Sequence, residues 1–278
     1  MTATALPAST RIAFIGGGNM ASAIIGGLIR QGLPAARIDV VEPFEATRAA
    51  LLQQHGVTAL PAAGEALARC AVVVWAVKPQ TFAEAAASVK AFAANALHLS
   101  VAAGIPSASI ARWLGTERIV RAMPNTPALI GQGVTGLYAD ASVSAAERTQ
   151  AEQVLAAVGS TVWVGDEKLI DAVTALSGSG PAYVFYFIEA MVRGGQDLGL
   201  TADQARALAI ATFTGASALA AQSPESPATL RERVTSKGGT TEAALKVMAE
   251  RGVKEGIVAG CKAAEARGQE LGKLLGAG

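Results

Sequence analysis

Residues 234–245 read Val-Thr-Ser-Lys-Gly-Gly-Thr-Thr-Glu-Ala-Ala-Leu. Four hydroxyls and a glycine pair stand directly before a stretch with the residue pattern of a helix. Ser, Thr and Gly at that place offer side-chain oxygens and unobstructed backbone N–H groups. A helix N-terminus also carries partial positive charge and attracts anions. The segment holds no His, Cys or Asp. It can seat a small carboxylate and donate mild hydrogen bonds, but it contains no strong nucleophile or base. Such a passive seat is enough where a bound cofactor carries the chemistry. The same letters also describe a capped helix behind a glycine turn.

A candidate cofactor site lies at the other end of the chain. Arg11-Ile-Ala-Phe-Ile15 leads into Gly16-Gly17-Gly18-Asn19-Met20-Ala21 and then a helical pattern. This is the G-x-G-x-x-A form of the dinucleotide fingerprint. Gly16 permits the tight turn, Gly18 lets a pyrophosphate approach the backbone, and Ala21 keeps the helix close to the strand. Glu42 ends the next strand, 21 positions past Ala21. That is near the ~20-residue spacing of the acid that accepts from the ribose hydroxyls. By this rule NADH is favoured over NADPH. Arg48, one turn into the following element, can nevertheless meet a phosphate, and an acid that merely ends an exposed strand would look the same.

More loops fall where strands of such a sheet end, the edge at which ligands bind. One carries Ala76, Val77, Lys78 and Pro79, a second Ala102 and Ala103, and a third Met123-Pro-Asn-Thr-Pro127. Each could be ordinary loop chemistry; together, beside the glycine turn, they read as the wall of a cleft.

The elements that must position these loops follow from periodicity. Short β-branched runs at 12–15, 38–41, 72–76, 97–101 and 119–121 alternate with helical patterns at 20–30, 46–54, 81–93 and 108–113, with a short helix at 62–69. Strand–helix repetition of this kind means a parallel sheet covered on both faces. Strands at 135–138 and 161–164, around a helix at 145–158, complete the series. From Glu167 onward the pattern is helical: 181–198, 202–221, 227–233, 242–249 and 253–271. The expected fold is α/β: a Rossmann-type parallel sheet with helices on both faces, then an all-α C-terminal domain. The expected boundaries are a loose tail over 1–10, a dinucleotide-binding domain over 11–165 and a helical domain over 166–278.

Composition bounds the partners. The chain has 278 residues, is 51% hydrophobic and 16% charged, and carries a net charge of +1. So apolar a chain has faces left over for subunit contacts. Near-neutral charge without a basic block argues against nucleic acid or an anionic membrane as partner. Cys70 and Cys261 lack CxxC spacing and read as buried free thiols in a reducing cytosol. His55 and His98 do not cluster with other metal-ligating residues, so no metal site is expected. The most apolar stretch, 208–221, is broken by Thr212, Thr214, Gly215 and Ser217 and suits a buried helix better than a membrane span.

The motifs Gly16-x-Gly-Asn-Met20, Val77-Lys-Pro79, Met123-Pro-Asn-Thr-Pro127, Leu176-Ser-Gly-Ser-Gly-Pro-Ala-Tyr183 and Val234-Thr-Ser-x-Gly-Gly-Thr-Thr241 occur in this order. In this the chain resembles the pyrroline-5-carboxylate reductases, from about Arg11 to the last helix. The resemblance implies reduction of 1-pyrroline-5-carboxylate to L-proline with NADP(H) or NAD(H), the last step of proline biosynthesis. It implies a helical domain that pairs with that of a second subunit, in a homodimer or a higher homo-oligomer such as a decamer. The imino-acid substrate would sit by Ser236, Gly239, Thr240 and Thr241, with Thr241 on the ring nitrogen. The cofactor would touch residues 16–21, 76–79 and 102–103. Glu167 reaches the substrate region in such a pattern, although a solvated acid between domains fits equally. Likewise Ser177–Tyr183 reads either as a junction, with Ser179 as N-cap and Pro181 in the first helical turn, or as cleft lining. Tyr183, Tyr186 and Phe187 read as core or dimer contacts.

Two departures from the family stand out. Lys237 occupies the usual proline position, which loosens the loop and adds a charge. Ala63-Gly64 replaces an asparagine that contacts cofactor in some members. Two rivals remain: a hydroxyacid-dehydrogenase-like oxidoreductase, and a non-catalytic nucleotide-binding sensor. The helix after Gly180 has no lysine or asparagine of the kind the former uses near its domain junction.

Overall fold

The computed structural model describes residues 6–276. The expected loose tail therefore lies partly outside the described residues, and the remainder includes a turn in which Thr10 N–H donates to Pro7 O at 2.9 Å.

Eight strands form one sheet in the order β3-β2-β1-β4-β5-β6-β7-β8. The strands are β1 (Ile12–Ile15), β2 (Ile38–Val41), β3 (Ala59–Leu60), β4 (Val72–Trp75), β5 (Leu97–Ser100), β6 (Ile119–Met123), β7 (Gly133–Ala139) and β8 (Gly159–Trp163). The crossovers are α1 (Asn19–Arg30), α2 (Glu45–His55), α3 (Phe82–Val89), α4 (Ser107–Leu114) and α5 (Ala145–Leu155). Alternation along each central strand divides the core in two. Ile12, Phe14, Val72, Val74, Leu97 and Leu99 face one cluster. Ala13, Ile15, Val73 and Trp75 face the other. Burial on both faces explains why these strands read as unbroken apolar runs.

β7 departs from the parallel pattern, pairing antiparallel to β6. Only a 3-10 turn at Thr126–Ile130 joins them, and a parallel return would need a crossover of a dozen residues or more. The expected helix at 62–69 is a 3-10 turn at Glu65–Arg69. β3 is two residues long, too short for periodicity to reveal.

After β8 the chain enters α6 (Leu169–Val173), a π turn at Thr174–Gly178, and α7 (Gly180–Asp197). Ser179 is therefore not an N-cap: its backbone stays right-handed helical, and its N–H reaches back five residues to Thr174 O at 2.8 Å. α8 (Ala202–Gln222), α9 (Pro227–Arg233), α10 (Thr240–Glu250) and α11 (Val253–Gly276) follow.

The chain divides into two compact units, residues 1–179 with 264–278, and residues 180–263. The first extends past residue 165 because α6 packs on the sheet: Ile170 is buried, and a Cβ on Gly136 would lie 2.4 Å from Val173 Cγ1. The second unit has little core of its own. α7 and α8 pack as a hairpin, with the Phe187 and Phe213 rings 6.5 Å apart. Yet among its described residues only Ala205 and Ala209 are buried. Phe185, Tyr186, Leu208 and Leu219 lie 65%, 71%, 58% and 58% exposed. Apolar area of this kind marks a surface made to be covered. Among the described residues no helix is long and apolar enough to cross a membrane.

Candidate active site

The dinucleotide turn has the backbone that the sequence requires. Gly16 sits at φ +94°, and a Cβ there would lie 2.6 Å from Ala76 O. Gly17 is also buried, its ideal Cβ position 2.7 Å from Leu51 Cδ1. Above Gly18, by contrast, nothing lies within 4 Å of the equivalent position. Gly18 is the N-cap of α1 and brings no side-chain cap; the first turn holds no acid. The start of α1 thus presents N–H groups and a positive dipole end next to open space, with Asn19 exposed, Met20 half-buried and Ala21 fully buried against the sheet. These residues fit a pyrophosphate.

Glu42 is buried, with a relative exposure of 6%. Its Oε2 accepts from Gly17 N at 2.8 Å and its Oε1 from Phe44 N at 2.9 Å. The carboxylate therefore braces the glycine turn and the β2–α2 loop from within. Arg48 is anchored beside it: Nη1 donates to Glu42 O at 3.1 Å and to Pro43 O at 2.6 Å.

The other two loops expected to flank a cofactor follow β4 and β5. Ala76 and Val77 are half-buried and Lys78 exposed, and Pro79 opens a 3-10 turn locked by Thr81 Oγ1 donating to Lys78 O at 3.0 Å. Ala102 is buried, and its N–H donates to Ser100 Oγ, 3.3 Å away; Ala103 is exposed. Asn125, in the loop after β6, is buried; its Nδ2 donates to Ser177 O at 3.1 Å and its Oδ1 accepts from Val134 N at 3.0 Å.

Glu167 is held by other parts of the first unit. Its Oε1 accepts from Ser107 N at 2.6 Å and from Arg121 Nη1 at 2.7 Å, and its Oε2 accepts from Ser107 Oγ at 2.9 Å. Sequence reading singled out neither Ser107 nor Arg121. The available signal was Arg121, a lone charge in an otherwise apolar strand run.

In the second unit, the hydroxyl-rich segment turns tightly into α10. Gly238 has φ +73° and gives its N–H to Glu242 Oε2 at 2.7 Å. Gly239, the N-cap, gives its N–H to Ser236 O at 3.0 Å. The N–H groups of Thr240, Thr241 and Glu242, the first helical residues, have no intrahelical acceptor. Ser236, Lys237 and Thr240 are exposed and Thr241 is half-buried. The segment matches a carboxylate seat in chemistry, and its one acid, Glu242, is engaged by the Gly238 N–H.

Cys70 and Cys261 are free thiols, Cys70 buried as expected and Cys261 only half-buried. Burial, and then the Asp39 carboxylate beside it, push the Cys70 thiol up to about 12, so it is no nucleophile. Among the described residues no three His, Cys, Asp or Glu side chains gather as metal ligands.

Residues 167–271 match the family model described as pyrroline-5-carboxylate reductase dimerisation, and residues 11–104 match that described as NADP oxidoreductase, coenzyme F420-dependent. A pyrroline-5-carboxylate reductase of Pseudomonas aeruginosa is 48% identical over 268 residues, covering 96% of this chain and 98% of that protein. One from Haemophilus influenzae is 43% identical, covering 95% and 98%. The solved pyrroline-5-carboxylate reductase structure from Coxiella burnetii superposes with a TM-score of 0.90 at 38% identity, over 95% of this chain and 98% of that one. A Plasmodium falciparum pyrroline carboxylate reductase, solved with NADP bound, superposes with a TM-score of 0.82 at 25% identity, over 95% and 98%.

Proposed function

The chain belongs to the pyrroline-5-carboxylate reductase family, and from that premise we propose how its own residues carry the reaction. It reduces 1-pyrroline-5-carboxylate to L-proline with NAD(P)H, the last step of proline biosynthesis.

Residues 16–21 hold the pyrophosphate at the open start of α1, Glu42 keeps the glycine turn in shape, and residues 76–79 with Ala102 and Ala103 flank the rest of the dinucleotide. When bound, the dihydronicotinamide supplies the hydride that the imine carbon accepts. The chain's remaining task is to hold the imine still. Ser236 Oγ and the N–H groups of Thr240 and Thr241 take the substrate carboxylate. Gly239, without a side chain, leaves that end of α10 uncovered. Thr241 Oγ1 hydrogen-bonds the ring nitrogen and sets the angle of the C=N bond. A threonine hydroxyl is too weak an acid to supply a proton alone at neutral pH. The imine therefore enters already protonated from solution, and hydride addition leaves the neutral amine. Orientation of bound reactants can supply up to about 7–11 kcal/mol of such a barrier.

One observation carries this assignment. The start of α10 is an uncapped helix end whose preceding glycine N–H groups are already engaged, so that Thr240 and Thr241 remain to bind an anion. The exposed apolar faces of α7 and α8, together with the dimerisation-family match, support a homo-oligomer. We take its finer form to be a dimer that assembles further, with a decamer as the candidate. The cytoplasm, where Cys70 and Cys261 stay reduced, is the compartment proposed.

The test follows loss of dihydronicotinamide absorbance with 1-pyrroline-5-carboxylate, with NADH and NADPH in parallel and proline identified as product. Folded protein that binds a dinucleotide and turns over with neither would overturn the reading. It would then favour a different substrate or a nucleotide sensor.

A further inference from the structure

We propose that Glu167 is a positioning residue that sets the cofactor loop at 102–106, and that it does not bind substrate. The inference rests on the reading above, in which Ala102 and Ala103 flank the dinucleotide.

The physical need comes from α4. Its N-cap is Pro106, which has no side-chain oxygen to offer, and no side-chain cap of its own is formed. The first N–H groups of a helix are otherwise without acceptors, and a carboxylate there is favoured by the helix dipole. Glu167, 60 residues away, supplies what is missing: Oε1 accepts from Ser107 N at 2.6 Å and Oε2 from Ser107 Oγ at 2.9 Å. Ser107 Oγ also lies 3.4 Å from Asp140 Oδ2, so its single proton goes to the nearer Glu167.

The same Oε1 takes Arg121 Nη1 at 2.7 Å, and the Arg121 side chain is only 9% exposed. Arg121 stands on β6, two residues before the Met123–Pro127 loop. One carboxylate thus fixes the end of the 102–106 loop against the strand that leads to the next loop of the same edge. A buried guanidinium needs a counter-charge, and Glu167 provides it. With both oxygens engaged by protein groups, Glu167 is occupied as a staple.

Two substitutions test this, because glutamine can mimic the staple and alanine cannot. In Glu167→Gln the new amide oxygen can accept from Ser107 N and Arg121, while the amide N–H₂ donates to Ser107 Oγ. The readouts are the NADPH dissociation constant by fluorescence titration, which needs no turnover, together with kcat and the KM for 1-pyrroline-5-carboxylate. Glu167→Gln should stay within about threefold of wild type in all three, since it keeps the hydrogen bonds and the Asp171 carboxylate still faces Arg121 as counter-charge. Glu167→Ala should weaken NADPH by about tenfold, the scale of one lost charge-assisted hydrogen bond, and lower kcat while leaving the KM for the imine unchanged. If both variants instead raise the imine KM and leave the NADPH dissociation constant alone, Glu167 holds substrate and the proposal is wrong. Unchanged NADPH binding in Glu167→Ala overturns it equally.

Where Glu167→Ala fails to fold because Arg121 is left buried and unpaired, the double variant Arg121→Met, Glu167→Ala removes both charges. It should fold and show the same weakening for NADPH; wild-type affinity there would refute the staple. If the wild-type enzyme proves inactive on the imine, the family reading fails, but the NADPH titrations still decide the role of Glu167.

Discussion

The side-chain amide of Asn125 donates to the backbone carbonyl of Ser177 at 3.1 Å, across 52 residues of chain. In a regular helix that carbonyl would accept from the N–H of residue 181, which here is a proline and has none. The chain answers with a π turn at Thr174–Gly178 and with a donor brought from the loop after β6. Asn125 Oδ1 meanwhile accepts from Val134 N, so one buried side chain completes two backbone segments that cannot complete themselves.

Replacing Asn125 therefore leaves two half-buried backbone groups without this partner. Asn125→Ala should destabilise the protein by about 2 kcal/mol, at roughly 1 kcal/mol, the lower end of the range, for each half-buried group left unpaired. Asn125→Asp keeps the acceptor for Val134 but turns a second oxygen toward Ser177 O, so it should be no better than alanine. Urea unfolding at fixed protomer concentration measures both. An aspartate variant as stable as wild type would show that Ser177 O finds water instead.

The position of Glu42 changes what its charge can do. Both oxygens face backbone N–H groups of Gly17 and Phe44, so the acid is a brace first and a ribose acceptor second. Arg48, tethered by two carbonyls, keeps guanidinium N–H groups for a 2′-phosphate. Arg48→Ala should raise the KM for NADPH by about 10-fold or more, the worth of a hydrogen bond between charged groups, and should change that for NADH by less than about threefold. Glu42→Ala should weaken both cofactors together. Parallel saturation curves for NADH and NADPH settle it: equal losses in Arg48→Ala would remove that residue from phosphate recognition.

The contrast between these two sites shows what the sequence carried. The turn at 16–21 was legible because its signal is local. A strand, three small residues at fixed offsets and a helix are all consecutive, and the positive φ at Gly16 is a demand only glycine meets cheaply. The helices from α7 to α11 were legible from their punctuation. What escaped depends on residues distant in the chain. The direction of β7 follows from a connection too short for a crossover, and the π turn hides in Leu-Ser-Gly-Ser-Gly, which reads as a loop. The partners of Glu167, Glu42 and Asn125 come from 25 to 60 residues away or are backbone groups, which periodicity cannot name. The start of α10 was legible as a hydroxyl-rich helix start behind a glycine turn, but which of its N–H groups remain available was not. That depends on Glu242 folding back onto Gly238.

Thr241 should be replaceable without structural cost. It is half-buried at the first turn of α10, and the helix does not use its hydroxyl as a cap. Thr241→Val keeps the shape and removes the hydroxyl. It should lower kcat/KM for 1-pyrroline-5-carboxylate by about 10- to 100-fold, equivalent to roughly 1.5–3 kcal/mol for a hydrogen bond to a charged group. The melting temperature and the NADPH dissociation constant should stay at wild-type values. Near-normal kcat/KM in the valine variant would exclude the hydroxyl from orienting the imine.

Acid should unfold this protein through His98 before it titrates most carboxylates. His98 lies on β5 with 1% exposure, and Trp75 Nε1–H donates to its Nδ1 at 3.0 Å. Burial, with Arg118 nearby, lowers its pKa to about 4, against the favourable hydrogen bond to the Ala93 backbone. The ring is therefore neutral when folded, with its proton on Nε2. Protonation would place a second N–H on Nδ1, facing that of Trp75. The unfolded chain takes up this proton near 6.5 and the folded one only near 4, so the unfolded state binds more protons between those values. Stability from this residue is then complete above about pH 6.5 and is lost as pH falls toward 4. The loss is about 3 kcal/mol over that window, at roughly 1.36 kcal/mol per pH unit. Because Trp75 ends β4 directly before the loop at 76–79 that is proposed to flank the cofactor, dinucleotide binding should weaken over the same range. His98→Gln presents an acceptor to Trp75 and does not titrate. Its urea unfolding free energy should be lower than wild type at pH 7 but should fall less steeply between about pH 6.5 and 4.5, and parallel slopes for the two proteins would rule His98 out as the acid-sensitive group.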